Sequence, residues 1–368
     1  MSEFQYYEFY SIDRALTSQE RDEIDRLSSR FSPTARRAVF TYSYGDFRHN
    51  VESILLQYFD FFLYMANWGT KRMMFKFPEE LINYDEVKRY HSPFDGEEYG
   101  EGLKVYKKAE FVIIDIKFCY DDGGWLAESN DLSRELIGLR ENILRGDYRA
   151  LFIIWLHIRC IAFYAEELNV NKSFTKNLIP NNLNKLSSNL ECLIDLFEID
   201  VDWISGAARY SEEVKDIAIP YTELVSDLPL DKKNQYLIKL LQDEPNIKLK
   251  LEQEIEKMMG KDPGELSDEI ITFKEIVQAS KIAEEERKEL RREREEKREI
   301  ERLQRIEKNR SSILREIKYN LDTGSGKSYD KALEGILNLR DLAIFKQEEP
   351  EFKHWLNKLK TELLKKPA

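Results

Sequence analysis

The sequence predicts an α+β fold that is predominantly helical overall. Strand-like segments rich in aromatic residues occur only in the first third of the chain. Farther along, apolar residues recur at three- and four-residue spacing, which is typical of helices, and charged residues dominate the stretch 284–308. We therefore predict an α+β N-terminal domain, a helical domain, a long charged α-helix and a C-terminal helical hairpin. These segments cover residues 1–125, 126–265, 266–320 and 321–368.

The N-terminal domain is predicted to begin with a strand, a helix and a second strand. Aromatic residues over 4–12 favour extended structure. Thr17 and Glu20 form a capping-box pattern, in which the hydroxyl accepts from a free helix amide and the carboxylate reaches back. A helix should follow them. A second strand is expected over 36–44.

The rest of this domain is predicted to hold a helix and three strands. The helix is expected over 51–67, because its apolar residues follow helical spacing, and Gly69 would end it in a left-handed conformation. Strands are expected over 71–77, 103–107 and 110–119. Together these elements predict a small sheet with helices on one face. A split βαβ arrangement is one alternative for its strand order.

The helical domain is predicted to open with a helical hairpin. Helices over 132–144 and 148–168 are separated by Gly146 and Asp147, a helix-ending glycine followed by a capping aspartate. The second helix is apolar around nearly its whole circumference, which predicts a central position. Further helices are expected over 184–197, 210–217, 231–242 and 245–259.

The long charged helix is predicted over 268–320. Opposite charges one turn apart, such as Glu284 and Lys288, support a helix in water. Apolar residues over 284–299 are too sparse to form the continuous apolar seam of a coiled coil. Those over 300–317 match the spacing of such a seam more closely. We therefore expect a solvated spacer with a partial coiled coil at its far end. A homo-oligomer joined through 300–317 is one alternative.

The tail is predicted to form a helical hairpin that binds a protein partner. Ser328 would cap a helix over 329–345, and Pro350 would open a second helix over 351–364. Because two helices alone bury little surface, we expect the hairpin to dock onto the last turns of the long helix. The candidate contact residues are Leu337, Phe345, Phe352, Trp355 and Leu359.

Composition argues against several classes of protein. The net charge of −12 disfavours duplex nucleic-acid binding, which depends on positive surplus at phosphates. The three cysteines and four histidines do not cluster, so we expect no metal site and no cofactor. No signal-peptide pattern opens the sequence, and the apolar stretch 151–165 is too short to span a membrane. We expect a cytoplasmic protein without membrane contact.

Several runs of the sequence carry a family resemblance. They are YYEFYSIDRALTSQE, YFDFFLYMANWGTKRMMFKFP, LRENILRGDYRALFIIWL, LPLDKKNQYLIKLLQDEP and KSYDKALEGILNLRDLA. Together they resemble an uncharacterised family of bacterial proteins over most of the chain, most distinctively at 67–70 and 145–149. The resemblance implies a bacterial cytosolic protein. It implies no activity, so no functional residue is transferred from it.

One alternative is a Mg²⁺-dependent nuclease of the PD-(D/E)xK type. Asp95 precedes a predicted hairpin, and Asp115 and Lys117 lie on its second strand. In such enzymes two carboxylates hold the metal and the lysine steadies the attacking water. The same Asp-x-Lys spacing also arises on any strand with a solvated face.

The leading functional hypothesis is a non-enzymatic protein-interaction or scaffold component, in which the charged helix presents the C-terminal helices. It depends on the predicted spacer and on the lack of a convergent catalytic set. A second alternative is single-stranded nucleic-acid binding by the N-terminal sheet, since aromatic side chains on an open sheet can stack bases. That alternative requires Tyr6 and Tyr42 to be exposed on one face.

Overall fold

The computed structural model describes residues 3–27, 34–43, 45–93, 102–120, 130–215, 221–258 and 269–364. The chain divides into two compact units, Met1–Ala283 and Glu284–Ala368. The first contains an antiparallel sheet and most of the helices, and the second is helical throughout its described residues. The predicted class, α+β and predominantly helical, is confirmed.

The strands are β1 (Phe4–Tyr10), β2 (Arg37–Ser43), β3 (Phe61–Ala66), β4 (Thr70–Pro78), β5 (Ser92–Pro93), β6 (Gly102–Lys108), β7 (Phe111–Cys119), β8 (Ser173–Thr175) and β9 (Ile270–Thr272). The α-helices are α1 (Ser18–Asp25), α2 (Val51–Tyr58), α3 (Tyr84–Lys88), α4 (Asn130–Leu144), α5 (Arg149–Tyr164), α6 (Ser188–Leu196), α7 (Val201–Ala208), α8 (Tyr221–Asp227), α9 (Leu230–Leu241), α10 (Ile247–Met258), α11 (Phe273–Lys308), α12 (Arg310–Thr323), α13 (Gly326–Lys346) and α14 (Glu349–Leu364).

Seven strands form one sheet in the order β2-β1-β3-β4-β7-β6-β5, and every neighbouring pair is antiparallel. The five strands predicted from sequence are confirmed as β1, β2, β4, β6 and β7. The capping box at Thr17 and Glu20 is also present at the start of α1. No parallel pair occurs in this sheet, so the split βαβ alternative is wrong. A separate two-stranded sheet, β8 with β9, was not predicted.

The helix predicted over 51–67 is wrong in its second half. The helix α2 ends after Tyr58, and strand β3 begins at Phe61. Between them the buried carboxylate of Asp60 accepts hydrogen bonds from the backbone N–H groups of Ile12 and Asp13, at 2.7 and 3.0 Å. A strand that is buried on both faces lacks polar alternation, so its apolar run resembles a helix in sequence.

Alternate residues of the sheet enter two different cores. Phe61, Phe75 and Ile114 belong to a large core shared with α4, α5, α6 and α7. Phe62 and Met74 belong to a smaller core shared with α1 and α2. Helices α1 and α2 thus lie on one face, but α3 packs into the large core through Val87, so the expectation that all helices of this segment share one face is wrong. The opposite face packs against the predicted helical domain, so both of these segments share one core.

The α4–α5 hairpin is confirmed. Gly146 adopts φ +81° after α4, and α5 begins at Arg149, whose backbone N–H donates to Asp147 at 3.2 Å. Ten residues of α5 are buried, including His157 and Cys160. This burial supports the central position that the apolar circumference predicted.

The long helix is shorter than predicted. The helix α11 has 36 residues, which corresponds to about 54 Å, and it ends at Lys308, so the continuous helix expected over 268–320 is wrong. Asn309 separates it from α12. Every residue from Glu285 to Glu301 is exposed, as the alternating charges predicted.

The second unit has its own small core. Leu303 and Ile306 at the end of α11, Ile317 of α12 and Leu339 of α13 are buried in it. The predicted docking of the tail onto the end of the charged helix is therefore confirmed. The apolar residues of 300–317 that would have joined two chains lie largely inside this core. The cap of α13 is Ser325, whose side chain accepts from the Ser328 N–H, and not Ser328 itself.

Candidate functional site

The structure places Asp115 and Lys117 on the same face of β7, as their spacing predicted. Asp95 lies outside the described residues. Asp115 is 8% exposed, and Arg72 of β4 donates to both of its carboxylate oxygens, from Nε and from Nη2, each at 2.8 Å. Such a bidentate pair is geometrically specific and charge-assisted.

Arg72 therefore occupies the carboxylate that the nuclease alternative assigns to metal binding. Among the described residues, no group of three or more His, Cys, Asp or Glu side chains is placed to hold a metal ion. The partner of Asp115 is thus the Arg72 guanidinium, whereas a nuclease site would place a second carboxylate there. The nuclease alternative stays a prediction that depends on Asp95.

Charged, polar and aromatic residues around Asp115 form a surface that we call the open sheet face. Its members are Trp68, Thr70, Arg72, Lys104, Tyr106, Asp115 and Lys117. Strand register sets this grouping, because Arg72 lies directly opposite Lys117, and Asp115 lies directly opposite Lys104. Directly paired residues of an antiparallel sheet point to the same side. Among the described residues, Arg72, Lys104 and Lys117 therefore meet the Asp115 carboxylate on three adjacent strands, and the Glu52 carboxylate lies beside them, bound to Tyr106 and Lys108.

Two aromatic side chains lie on the open sheet face. Trp68, in the β3–β4 turn, is 39% exposed, and its indole N–H donates to the Thr70 hydroxyl at 3.0 Å. The Tyr106 hydroxyl donates to Glu52 at 2.9 Å. Burial, the nearby Asp115 carboxylate and Glu52 raise the pKa of Tyr106, so this hydroxyl remains a donor at physiological pH.

Tyr6 and Tyr42 do not form the stacking surface that the single-stranded nucleic-acid alternative required. Tyr6 is buried in the large core and donates to Glu8 at 2.8 Å. Tyr42 packs on the smaller core, edge-to-face against Tyr7 with ring centroids 5.9 Å apart. The two tyrosines lie on opposite faces of the sheet, so an exposed aromatic surface has to come from other residues.

The predicted contact residues in the tail fall into two groups. Phe352, Trp355 and Leu359 pack against the core of the second unit, with Phe352 and Trp355 in ring contact at 5.6 Å. Leu337 and Phe345 are exposed. The first group is half-buried, so the second group is the more accessible for contact with a partner.

Sequence reasoning missed most of an apolar row on α13. Tyr329, Leu333, Leu337 and Ile344 are all exposed. Their spacing of four and seven residues places them along one side of the helix. We call these four residues the α13 apolar face. The spacing was visible in the sequence, but it resembled that of a core-facing helix.

A second exposed apolar surface lies on α9, in the first unit. Leu230, Leu237, Ile238, Leu240 and Leu241 are exposed, with Leu241 the most accessible at 84%. No residue of α9 is buried. We call these five residues the α9 apolar face. The sequence predicted a helix over 231–242, and its exposed apolar residues were not foreseen.

A buried lysine on the other face of the sheet forms an ion pair with a strained glutamate. The Lys71 side chain is 3% exposed, and its ammonium lies 2.6 Å from Glu198 Oε1 and 5.0 Å from the centre of the Tyr120 ring. Glu198 has φ +52°, a left-handed conformation that costs a non-glycine residue about 1 kcal/mol. The ion pair offsets this strain.

Replacing Glu198 by glycine is expected to lower the free energy of unfolding by about 1–2 kcal/mol. The variant relieves the backbone strain but leaves the Lys71 ammonium buried without its carboxylate. The matched control is Glu166→Gly, at an exposed residue with φ +60°, which should stabilise the protein by up to about 1 kcal/mol. Urea unfolding measures both. Equal shifts of the same sign would contradict this account.

His157 lies beside this ion pair as a core histidine. Its Nε2 is 3.3 Å from the Tyr120 hydroxyl oxygen, which itself donates to the Phe197 carbonyl at 2.5 Å. Burial lowers the pKa of His157 to about 4, so the ring is neutral at physiological pH. The neutral imidazole packs edge-to-face on the Phe118 ring, with centroids 5.0 Å apart, and is part of the core.

No helix in the described ranges is both long and apolar enough to cross a lipid bilayer. Comparison of the chain with known proteins finds no matching family model, no similar curated protein and no similar solved structure. The surfaces described above are therefore the basis for a functional proposal.

Proposed function

We propose that this chain is a non-enzymatic protein-interaction or scaffold component of a bacterial cytosolic complex. The observation that carries the proposal is the α13 apolar face: Tyr329, Leu333, Leu337 and Ile344 are exposed in one row. The second unit already buries other side chains of α13 in its own core, among them Ala332, Leu339 and Leu342. The exposed row is therefore additional to what the fold needs.

The chemistry of this face fits a partner that contributes an apolar helix or groove. Burying one large aliphatic or aromatic side chain is worth about 1.5–3 kcal/mol, so a row of four represents a substantial unfavourable exposure. Contiguous exposed apolar surface of this kind marks protein interaction sites. Anchors at helical spacing correspond to the helix-in-groove mode of recognition.

The charged part of α11 supports the same function by presenting no apolar row of its own. Ion pairs one turn apart, between Glu284 and Lys288 and between Arg291 and Glu295, brace this segment. A helix stabilised in this way persists in water without a partner. We therefore assign the partner contact of the second unit to the α13 apolar face. The α9 apolar face offers the first unit a further contact of the same kind.

The test is a triple substitution on the α13 apolar face, Leu333→Ser, Leu337→Ser and Ile344→Ser, in the full chain. The matched control changes three exposed polar residues of the same helix, Lys327→Ser, Lys331→Ser and Glu334→Ser. The control loses at least as much helix propensity as the apolar-face variant, because isoleucine and serine have about equal propensity while lysine and glutamate exceed serine. Circular dichroism should show that the apolar-face variant keeps at least as much helix as the control.

We expect the proteins captured from the native host by wild type and by the control to be lost from the apolar-face variant. Loss of central apolar anchors typically weakens an interface by more than 1 kcal/mol each, so the triple variant should bind at least about 100-fold more weakly. An unchanged set of captured proteins would overturn the proposal. Light scattering could instead show a dimer of the wild-type protein that dissociates only in the apolar-face variant. That result would assign the face to self-association and would contradict the proposal that it binds a different protein.

A further inference from the structure

The open sheet face carries a charge opposite to that of the whole protein. The chain has a net charge of −12, yet Arg72, Lys104 and Lys117 lie here with the Asp115 carboxylate, and the neighbouring Glu52 carboxylate is paired with Lys108. Arg72, Lys104 and Lys117 are half-buried and reach solvent. A local positive surplus on an acidic protein concentrates anions at that surface.

The arrangement of these cations is held in place by the fold. Arg72 is fixed by its two hydrogen bonds to Asp115, which use only one edge of the guanidinium. Lys117 lies opposite Arg72 on β7, and Lys104 lies on the next strand, β6. Because neighbouring strands lie about 4.8 Å apart, the three positive groups span about 10 Å across the sheet.

An exposed indole lies at the end of this row. Thr70 and Arg72 are two residues apart on β4, so their side chains point to the same side of the sheet. The hydrogen bond from Trp68 to the Thr70 hydroxyl therefore places the ring on the open sheet face. Trp68 buries most of its surface and leaves 39% of it exposed. This exposed part of the ring lies at the end of β4 that carries Arg72, the cation fixed by Asp115.

We propose that the open sheet face binds single-stranded nucleic acid, with Trp68 stacking on a base and Lys104, Lys117 and Arg72 contacting phosphates. Stacking on an aromatic ring requires an unpaired base, which a duplex does not offer. Two or three phosphate contacts imply a modest salt dependence, with log K falling against log salt at a slope of about −1.4 to −2. This site is separate from the α13 apolar face and does not depend on it.

The test measures fluorescence anisotropy of a short labelled oligouridylate across a potassium chloride series. Trp68→Ala should weaken binding about 5- to 140-fold at constant salt, the range of a lost stacking contact. Lys104→Gln and Lys117→Gln should each weaken binding and each make the salt slope shallower by about 0.7. The matched control is Lys107→Gln. It lies on the same strand as Lys104 but on the opposite face, with equal loss of charge.

Three outcomes would overturn the proposal. The first is the absence of oligouridylate binding by the wild-type protein at low salt. The second is an equal loss of affinity in Lys107→Gln and Lys104→Gln, which would show a general charge effect. The third is a polyglutamate chain bound as tightly as the oligouridylate, with Trp68→Ala unaffected, which would show anion binding without base recognition. Thermal unfolding of each variant confirms that the sheet is intact.

Discussion

Replacing Gly69 by alanine is expected to lower the free energy of unfolding by about 2–5 kcal/mol. Gly69 has φ +102° in the β3–β4 turn, a conformation that costs a side-chain-bearing residue about 1–2 kcal/mol. An added Cβ would also lie 1.8 Å from the Tyr120 carbonyl oxygen. Since that atom is backbone, the end of β7 has to move, which adds an overpacking cost of about 1–3 kcal/mol.

The matched control for this variant is Gly146→Ala. Gly146 also has a positive φ, +81°, but nothing lies within 4 Å of an added Cβ. Its cost should be limited to about 1–2 kcal/mol of backbone strain. Thermal and urea unfolding compare the two. Equal destabilisation would contradict the contact with Tyr120 as the source of the larger effect.

Replacing Arg140 by alanine is expected to cost about 3–5 kcal/mol of stability. The Arg140 side chain is 3% exposed, and it bonds both oxygens of Asp13 at 2.7 and 2.9 Å. Its Nε also donates to the Lys76 carbonyl at 2.9 Å. Truncation leaves a largely buried carboxylate and a buried carbonyl without this partner, which is the costly way to break a buried pair.

Arg134→Ala is the control for this prediction. Arg134 lies on the same helix, α4, but is exposed, so its loss should change stability by no more than about 0.5 kcal/mol. The double variant Asp13→Ala with Arg140→Ala should lose less than the sum of the two single variants, because no charge then remains unpaired. Strict additivity, or equal losses for Arg134 and Arg140, would refute the ion-pair account.

Local signals in the sequence were sufficient for most elements of the fold. The capping box at Thr17 and Glu20 and the glycine at Gly146 act through a few neighbouring residues, so they could be recognised without knowing the rest of the chain. Strand β3 could not be recognised in this way. Its identity as a strand depends on pairing with β1 and β4, and its apolar run has no period that separates a doubly buried strand from a helix.

The candidate surfaces show the same limit. The Asp115 and Lys117 pair was found from its spacing on one strand, whereas Arg72, Lys104 and Trp68 come from other strands and meet it only through sheet register. The apolar rows on α9 and α13 have the spacing of core-facing helices. Their exposure follows from which other segments cover them, and no local pattern encodes that.

The sequence by itself determined the α+β class, the positions of most strands and helices, and the solvated charged stretch of α11, because these depend on propensities, caps and charge pairs within a few residues of one another. Only the tertiary structure decided the antiparallel strand order, the ion pair that joins Lys71 to Glu198, and which apolar and cationic side chains reach solvent. The physical reason is that burial and pairing across the sheet are properties of residues distant in the chain, and they arise only when those residues pack together.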